Sequence, residues 1–125
     1  MPQQQQELHA HYNAHDFIMR QYDGVTVVRF TTAHLVGGQD LDRITAELRD
    51  LIDAGVRKLV LDFKHVRYIN SATLSMLLAV HAKLTEVQGK LVLSHPENIA
   101  ELLRVSKMEK LFPSAENPKL ALAMM

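Results

Sequence analysis

The stretch that decides the fold is KLVLDFKHVRYINSATLSMLLAVHAKL, residues 58–84. It opens on a nearly continuous apolar run, residues 58–63, which is typical of a strand buried on both faces of a sheet. After a short loop, residues 71–87 are rich in Leu, Met, Ala and Val and predict a helix, and Gly89 marks its end. This stretch therefore predicts a strand, a loop and a helix, the repeating unit of parallel sheets.

The same unit extends on both sides of this stretch. Towards the C-terminus, KLVLSH predicts a second buried strand, Pro96 opens a helix that we expect to reach Phe112, and NPKLALAMM predicts a short last helix. Towards the N-terminus, DLDRITAELRDLIDAG predicts a helix that ends at Gly55. One face of that helix is apolar and consists of Leu41, Ile44, Leu48, Leu51 and Ile52.

The N-terminal part of the fold predicts a hairpin. FIMRQY and VTVVRFTT flank Asp23-Gly24, a strong turn signal, so we expect strands over residues 16–22 and 25–31. Residues 34–36 are compatible with a short strand or a loop. The predicted fold is a single α/β domain over residues 16–125, with a mixed, mostly parallel sheet, an N-terminal hairpin and about four packed helices. Residues 1–15 predict a flexible polar tail.

Composition excludes several classes of function. Fourteen basic and 14 acidic residues give a net charge of zero, which argues against direct nucleic-acid binding. No apolar run approaches the roughly 20 residues that span a bilayer, so we expect no membrane insertion. The chain has no cysteine, which excludes disulfides and thiolate metal sites and fits a cytoplasmic protein. His9, His11 and His15 lie in the predicted tail, where no rigid element fixes a metal geometry, so we expect no metal and no cofactor.

Ser71 stands where a strand–loop unit enters a helix, a place where functional groups gather in open sheets. An enzymatic role is not supported, because the nucleophile-elbow pattern G-x-S-x-G is absent. His81 lies ten residues along the helix, about 15 Å away, and no carboxylate is placed to orient His65. We read Asp62, at the end of its strand, as a solvated or capping carboxylate. The residues therefore predict a protein that is not an enzyme.

Polar side chains cluster at the start of this otherwise apolar helix. They are Asn70, Ser71, Thr73 and Ser75. Asn and Ser are both preferred N-caps, so the cluster is compatible with a structural cap. A single cap does not need four polar residues, so a modified or partner-binding surface stays open. Met76, on the same helix, is compatible with either the core or a docking patch.

Residues 59–112 resemble the STAS family, the anti-sigma factor antagonist domain. YDGVTVVRF resembles the first hairpin of the family, so the likeness covers about residues 16–123. The family pattern is a buried strand ending in Asp, a loop, the signature D-S-S/T-G-L-G at a helix start, a strand like LVLV and a closing phrase like GLDKLF. Here residues 70–75, NSATLS, match the signature, KLVL the next strand, and KMEKLF the closing phrase. The chain departs from the pattern at Asn70, which replaces Asp, and at Ala72, which replaces the second hydroxyl residue. Thr73 and Ser75 replace glycines, and Lys107 replaces the glycine of the closing phrase.

The resemblance implies a partner-switching protein. In the family, the unphosphorylated domain binds an anti-sigma factor that is a serine kinase, and a PP2C-type phosphatase removes the phosphate that the kinase adds. The residue that matches the phosphorylated serine is Ser71, and Thr73 is a second candidate. We expect the partner to contact Asn70, Ser71, Thr73, Ser75 and Met76.

Two alternatives stay open at this point. The chain could be a constitutive STAS adaptor in a transporter ATPase or a stress-signalling complex, without phosphorylation. It could also bind a small ligand in a polar pocket near Ser71. The sequence does not fix the oligomeric state, and a homodimer is compatible with it.

Overall fold

The computed structural model describes residues 6–8 and 17–125. In chain order the elements are β1 (Gln6–Leu8), β2 (Phe17–Tyr22), β3 (Val25–Phe30), β4 (His34–Leu35), α1 (Gln39–Asp53), β5 (Lys58–Asp62), β6 (Tyr68–Ile69), α2 (Ser71–Glu86), β7 (Lys90–Ser94), a 3₁₀ turn (Pro96–Asn98), α3 (Ala100–Val105), β8 (Ser114–Ala115) and α4 (Pro118–Ala123). Within these residues, no helix is long and apolar enough to cross a membrane.

The central sheet is mixed and mostly parallel, as predicted. Its strand order is β1-β2-β3-β5-β7-β8. The pairs β1–β2 and β2–β3 are antiparallel, whereas β3–β5, β5–β7 and β7–β8 are parallel. The predicted hairpin is β2–β3, and its turn residues Asp23 and Gly24 both have positive φ, the conformation that the Asp-Gly pair favours.

The main core lies between the sheet and the helices α1, α2 and α3. Leu59 and Leu61 of β5 point into it, together with the five apolar residues that predicted the α1 face. Val60, between them, points to the other face of the sheet and packs near Ala121 of α4. Both faces of β5 are therefore covered, which is why its sequence is apolar without alternation.

The helix predicted after Pro96 is shorter than expected. A 3₁₀ turn comes first, and α3 ends at Val105 instead of continuing to Phe112. Lys107 then has a φ of 59°, in the left-handed region, and its N–H donates to Arg104 O at 3.1 Å. This reversal brings Phe112 back to the core, where it is buried. Burial of this ring explains why the apolar pattern continues after the helix has ended.

The N-terminal tail differs from the prediction at one point. Residues 6–8, inside the predicted flexible segment, pair with β2 as an antiparallel strand. The outer edge of a hairpin presents unpaired backbone groups, so an extended segment of any composition can pair there. The other residues of the predicted tail, with His9, His11 and His15, lie outside the described residues.

Candidate functional site

The N-terminus of α2 is capped by Asn70 and not by Ser71. The side-chain Oδ1 of Asn70 accepts the Ala72 N–H at 2.9 Å. In return, the backbone N–H of Asn70 donates to Thr73 Oγ1 at 3.1 Å, which completes a reciprocal capping box. The cap therefore works without the Ser71 hydroxyl.

Thr73 joins this cap to strand β4, which is distant in the sequence. Its side chain is fully buried, and its hydroxyl donates to the carbonyl of Leu35 in β4. We call this set of bonds, formed by Asn70, Thr73 and the Leu35 carbonyl, the capping cluster. Thr73 is not accessible, contrary to the prediction that places it on the partner surface and names it as a second phosphate acceptor, because both hydrogen bonds of its hydroxyl lie inside the fold.

Ser71 is exposed at the first position of α2. Its Oγ makes no hydrogen bond to any described residue, and the neighbouring exposed Ser75 donates to the Ser71 carbonyl at 3.3 Å. The first turn of α2 carries no acidic side chain. A free hydroxyl at the positive end of a 16-residue helix is a favourable position for a negatively charged group.

Met76 belongs to the core. Its side chain is 2% exposed and lies in the main apolar cluster, contrary to the prediction that counts it among the partner-binding residues. The reason is that α2 packs against both α1 and strand β7, so that more than one of its faces is covered. Asn70, Ser71 and Ser75 are exposed, and these three remain available at the predicted surface.

A second small sheet lies next to the cap. β4 and β6 form a two-stranded parallel ladder that pairs His34 with Tyr68 and Leu35 with Ile69. The rings of His34 and Tyr68 stack at 4.5 Å between centroids and 16° between planes. The sequence suggested a short strand at 34–36 but gave no sign of β6, because two-residue strands have no periodicity. Tyr68, two residues before the signature, was the available sequence signal for this surface.

Asp62 is fully buried, contrary to the prediction of a solvated or capping carboxylate. Its Oδ2 accepts from Arg29 Nε at 3.0 Å, and its Oδ1 lies 2.7 Å from His95 Nδ1 and accepts the Lys64 N–H at 3.1 Å. We call this set the Asp62 cluster. Arg29, Asp62 and Ser94 occupy paired positions on the neighbouring strands β3, β5 and β7, so sheet register brings the cluster together. A buried carboxyl group needs such hydrogen-bond partners to replace the water that it loses.

Among the described residues, the serine next to the histidine–carboxylate pair of this cluster is Ser94, which pairs with Asp62 across the sheet. Ser94 is fully buried, and its Oγ has no hydrogen-bond partner among the described residues. His81, one of the two histidines that lie near Ser71 in the sequence, packs edge-on against Phe112. No group of three or more metal-binding side chains occurs within the described residues. Among the described residues of this edge, Ser71 combines an exposed hydroxyl with a place at the first position of α2.

Comparisons with known proteins all point to the same family. The model of the family described as "STAS domain" matches residues 16–121. A protein of Bordetella bronchiseptica, BtrV, named as a candidate anti-sigma factor antagonist, is 34% identical over 90 residues, which cover 71% of this chain and 78% of BtrV.

Solved structures show the same fold. A candidate anti-sigma factor antagonist from Thermotoga maritima, tm1081, superposes with a TM-score of 0.76 at 16% identity, covering 86% of this chain and 92% of that one. The anti-sigma factor antagonist SpoIIAA from Bacillus gives 0.72 in its unphosphorylated form, at 17% identity with 86% and 94% covered. Its phosphorylated form gives 0.68, at 16% identity with 87% and 99% covered.

Proposed function

The chain belongs to the STAS family, and we propose that it is an anti-sigma factor antagonist whose binding is switched off by phosphate on Ser71. The observation that carries the proposal is the division of roles at the start of α2. Asn70 caps the helix, so the Ser71 hydroxyl is exposed and free to react. The partner is an anti-sigma factor of the serine-kinase type, and a PP2C-type phosphatase restores the free serine. This chain, the anti-sigma factor and the phosphatase all act in the cytoplasm.

Names of relatives support the class of function. BtrV, at 34% identity, is named as a candidate anti-sigma factor antagonist. SpoIIAA, which shares the fold, has been solved both with and without phosphate. The two forms of SpoIIAA give similar TM-scores against this chain, 0.72 and 0.68, as expected for a modification that leaves the fold intact.

Electrostatics explain how phosphate could block binding without unfolding the domain. A phosphate on Ser71 would face the positive end of α2, where the unpaired N–H groups of the first turn favour an anion. It would also add roughly 1.5 to 2 negative charges to a surface that has to dock against a protein. The folded domain accommodates this charge at the start of α2, whereas the complex is disfavoured if the partner has no cation opposite the phosphate.

Asn70 leaves this mechanism working. Asn and Asp are equivalent as N-caps, because both offer a side-chain oxygen to the first-turn N–H groups. The amide also carries no negative charge next to the phosphate. The replacement of the family's Asp by Asn70 therefore changes the charge that a kinase meets at the acceptor and preserves the geometry of the cap.

Affinity capture with defined variants tests the proposal. Wild type and Ser71→Ala should both recover an anti-sigma factor with a kinase domain, and Ser71→Asp should lose it. Ser114→Asp is a matched control, because Ser114 is an exposed serine on β8, away from α2, and it should bind like wild type. Mass spectrometry of the wild type after incubation with the recovered kinase and ATP should find the phosphate on Ser71.

Three results would contradict the proposal. Equal binding by wild type and Ser71→Asp would remove the switch. Phosphate on Ser75 instead of Ser71 would move the switch by one turn of α2. Recovery of a transporter ATPase subunit without any anti-sigma factor, and without phosphate on Ser71, would favour the constitutive adaptor.

A further inference from the structure

The surface beside Ser71 carries an exposed aromatic pair that the capping cluster does not use. Tyr68 is 56% exposed and is the only aromatic among the large exposed apolar side chains of the described residues. Its ring stacks on that of His34 at 4.5 Å and nearly parallel, and His34 is itself exposed. The pairing of β4 with β6 sets the two rings side by side, and because the fold buries neither ring, both are open to a partner.

The pair is held rigidly. The carbonyl of Ala33 accepts both the Arg67 N–H at 2.8 Å and the Tyr68 N–H at 2.9 Å. The next residue of β4, Leu35, accepts the buried hydroxyl of Thr73, which ties the ladder to α2. Tyr68 therefore has a fixed backbone and a ring that rests on a neighbour, so little conformational entropy remains to be lost when a partner covers it.

Distance places the pair within reach of any protein that binds at Ser71. Tyr68 and Ser71 are three positions apart in the sequence, and three extended residues span at most about 11 Å. A standard interface covers about 800 Å² on each partner, a disc of roughly 16 Å radius. A partner centred on Ser71 therefore also covers Tyr68.

We propose that the stacked pair Tyr68–His34 is the anchor through which the anti-sigma factor holds this domain, while Ser71 is only the switch. The inference rests on the proposed function, because it takes the same partner. Buried tyrosines at interfaces commonly carry a large share of the binding energy. The partner should present an apolar pocket for the phenol ring of Tyr68. The His34 imidazole of this chain would cover the face of the phenol ring that the partner does not contact.

This division of roles predicts distinct kinetics. The same anchor has to hold the kinase before and during phosphorylation, so it contributes equally to the ground state and the transition state. Loss of such uniform binding raises KM and leaves kcat unchanged. Ser71, in contrast, affects whether phosphate can be transferred at all.

Titration with the purified anti-sigma factor that the wild type captures tests the anchor. Tyr68→Ala should weaken binding by about 30-fold or more, the size of an interface hot spot. His34→Ala should weaken it by roughly tenfold, and Tyr68→Phe, which keeps the stack, should stay within about threefold. Leu120→Ala is the control for loss of an exposed apolar side chain, since Leu120 is 47% exposed on α4, and it should bind like wild type.

A kinase assay provides the second readout. Tyr68→Ala should raise the KM for phosphorylation of Ser71 by about tenfold or more at unchanged kcat. Unfolding midpoints of all variants should match that of the wild type, because both rings lie on the surface.

The outcomes separate this inference from the proposed function. If Ser71→Asp loses the anti-sigma factor but Tyr68→Ala binds within threefold of wild type, the anchor is wrong and the switch stands. A lower kcat at unchanged KM for Tyr68→Ala would also overturn the anchor. If the wild type captures no anti-sigma factor, both proposals are wrong.

Discussion

The capping cluster and the Asp62 cluster solve the same structural problem with opposite results at the surface. Each uses one polar side chain to tie together segments that are distant in the sequence: Thr73 reaches Leu35, and Asp62 reaches Arg29 and His95. The Asp62 cluster uses its polar groups for hydrogen bonds within the fold. The capping cluster does the same with Asn70 and Thr73, and this leaves Ser71 exposed between them. A reactive hydroxyl is therefore free because its neighbours do the structural work.

Removal of the buried carboxylate should have the largest effect on stability. Asp62→Ala takes away three interactions at once, and we expect it to lower the free energy of unfolding by about 3 kcal/mol. The side chains of Arg29 and His95 remain 30% and 23% exposed, so water can replace part of the lost interactions and the cost stays below that of a fully buried pair. Urea unfolding followed by circular dichroism measures the change.

A matched carboxylate shows whether burial is the cause. Asp53 pairs with Lys83 at 2.8 Å but is 60% exposed, so Asp53→Ala should cost less than about 1 kcal/mol. Similar losses for the two alanine variants would mean that the Asp62 cluster is no more important for the fold than a surface ion pair.

The capping cluster should respond next. Thr73→Val keeps the shape of the side chain but leaves the Asn70 N–H and the Leu35 carbonyl without their partner, and we expect a loss of about 2 kcal/mol. Thr85 is the control on the same helix, because it is exposed and donates only to the His81 carbonyl one turn back, so Thr85→Val should be nearly neutral. Thermal unfolding of both variants would reveal an equal loss if the bond to β4 contributed nothing.

The two clusters also show how much the sequence could predict. Strands, helices and the mixed sheet followed from apolar periods and turn residues, and family resemblance singled out Ser71. The burial of Thr73 could not be predicted, because α2 is apolar on most sides and no single face stands out. The buried state of Asp62 depends on its register with Arg29 and Ser94 on neighbouring strands, and one strand read alone does not contain that register.

Backbone conformation was equally hidden at the ends of the helices. Gly89 marks the end of α2, but the left-handed residue there is Gln88, with a φ of 60°. A Cβ on Gly89 would come within 2.6 Å of the Arg57 carbonyl oxygen, so close approach and not a positive φ requires glycine. Which of these two reasons applies to a glycine depends on its three-dimensional neighbours.

A substitution at Lys107 should raise the free energy of unfolding, in contrast to the larger losses at Asp62 and Thr73. It lies in the left-handed region at a φ of 59°, where the family pattern has glycine. Lys107→Gly should remove the steric cost and stabilise the fold by about 0.5 to 1 kcal/mol, after the extra entropy of glycine in the unfolded chain. Lys110→Gly, at an exposed residue without a positive φ, should bring no gain. A stability gain at Lys110 equal to that at Lys107 would contradict the steric explanation.

Ser71→Asp should have the smallest effect on stability, although Ser71 lies only two residues from Thr73. The new carboxylate would stand in water at the positive end of α2, so we expect the free energy of unfolding to stay within about 0.5 kcal/mol of wild type. Thr73→Asp would instead place a charge where the side chain is fully buried, and it should destabilise the fold severely. Unfolding curves of the two aspartate variants measure this difference directly, and comparable losses would mean that the surface around Ser71 is as sensitive to charge as the capping cluster. A phosphorylation switch needs a surface that tolerates the added charge, because the phosphorylated domain has to remain folded so that the phosphatase can recognise it and restore the free serine.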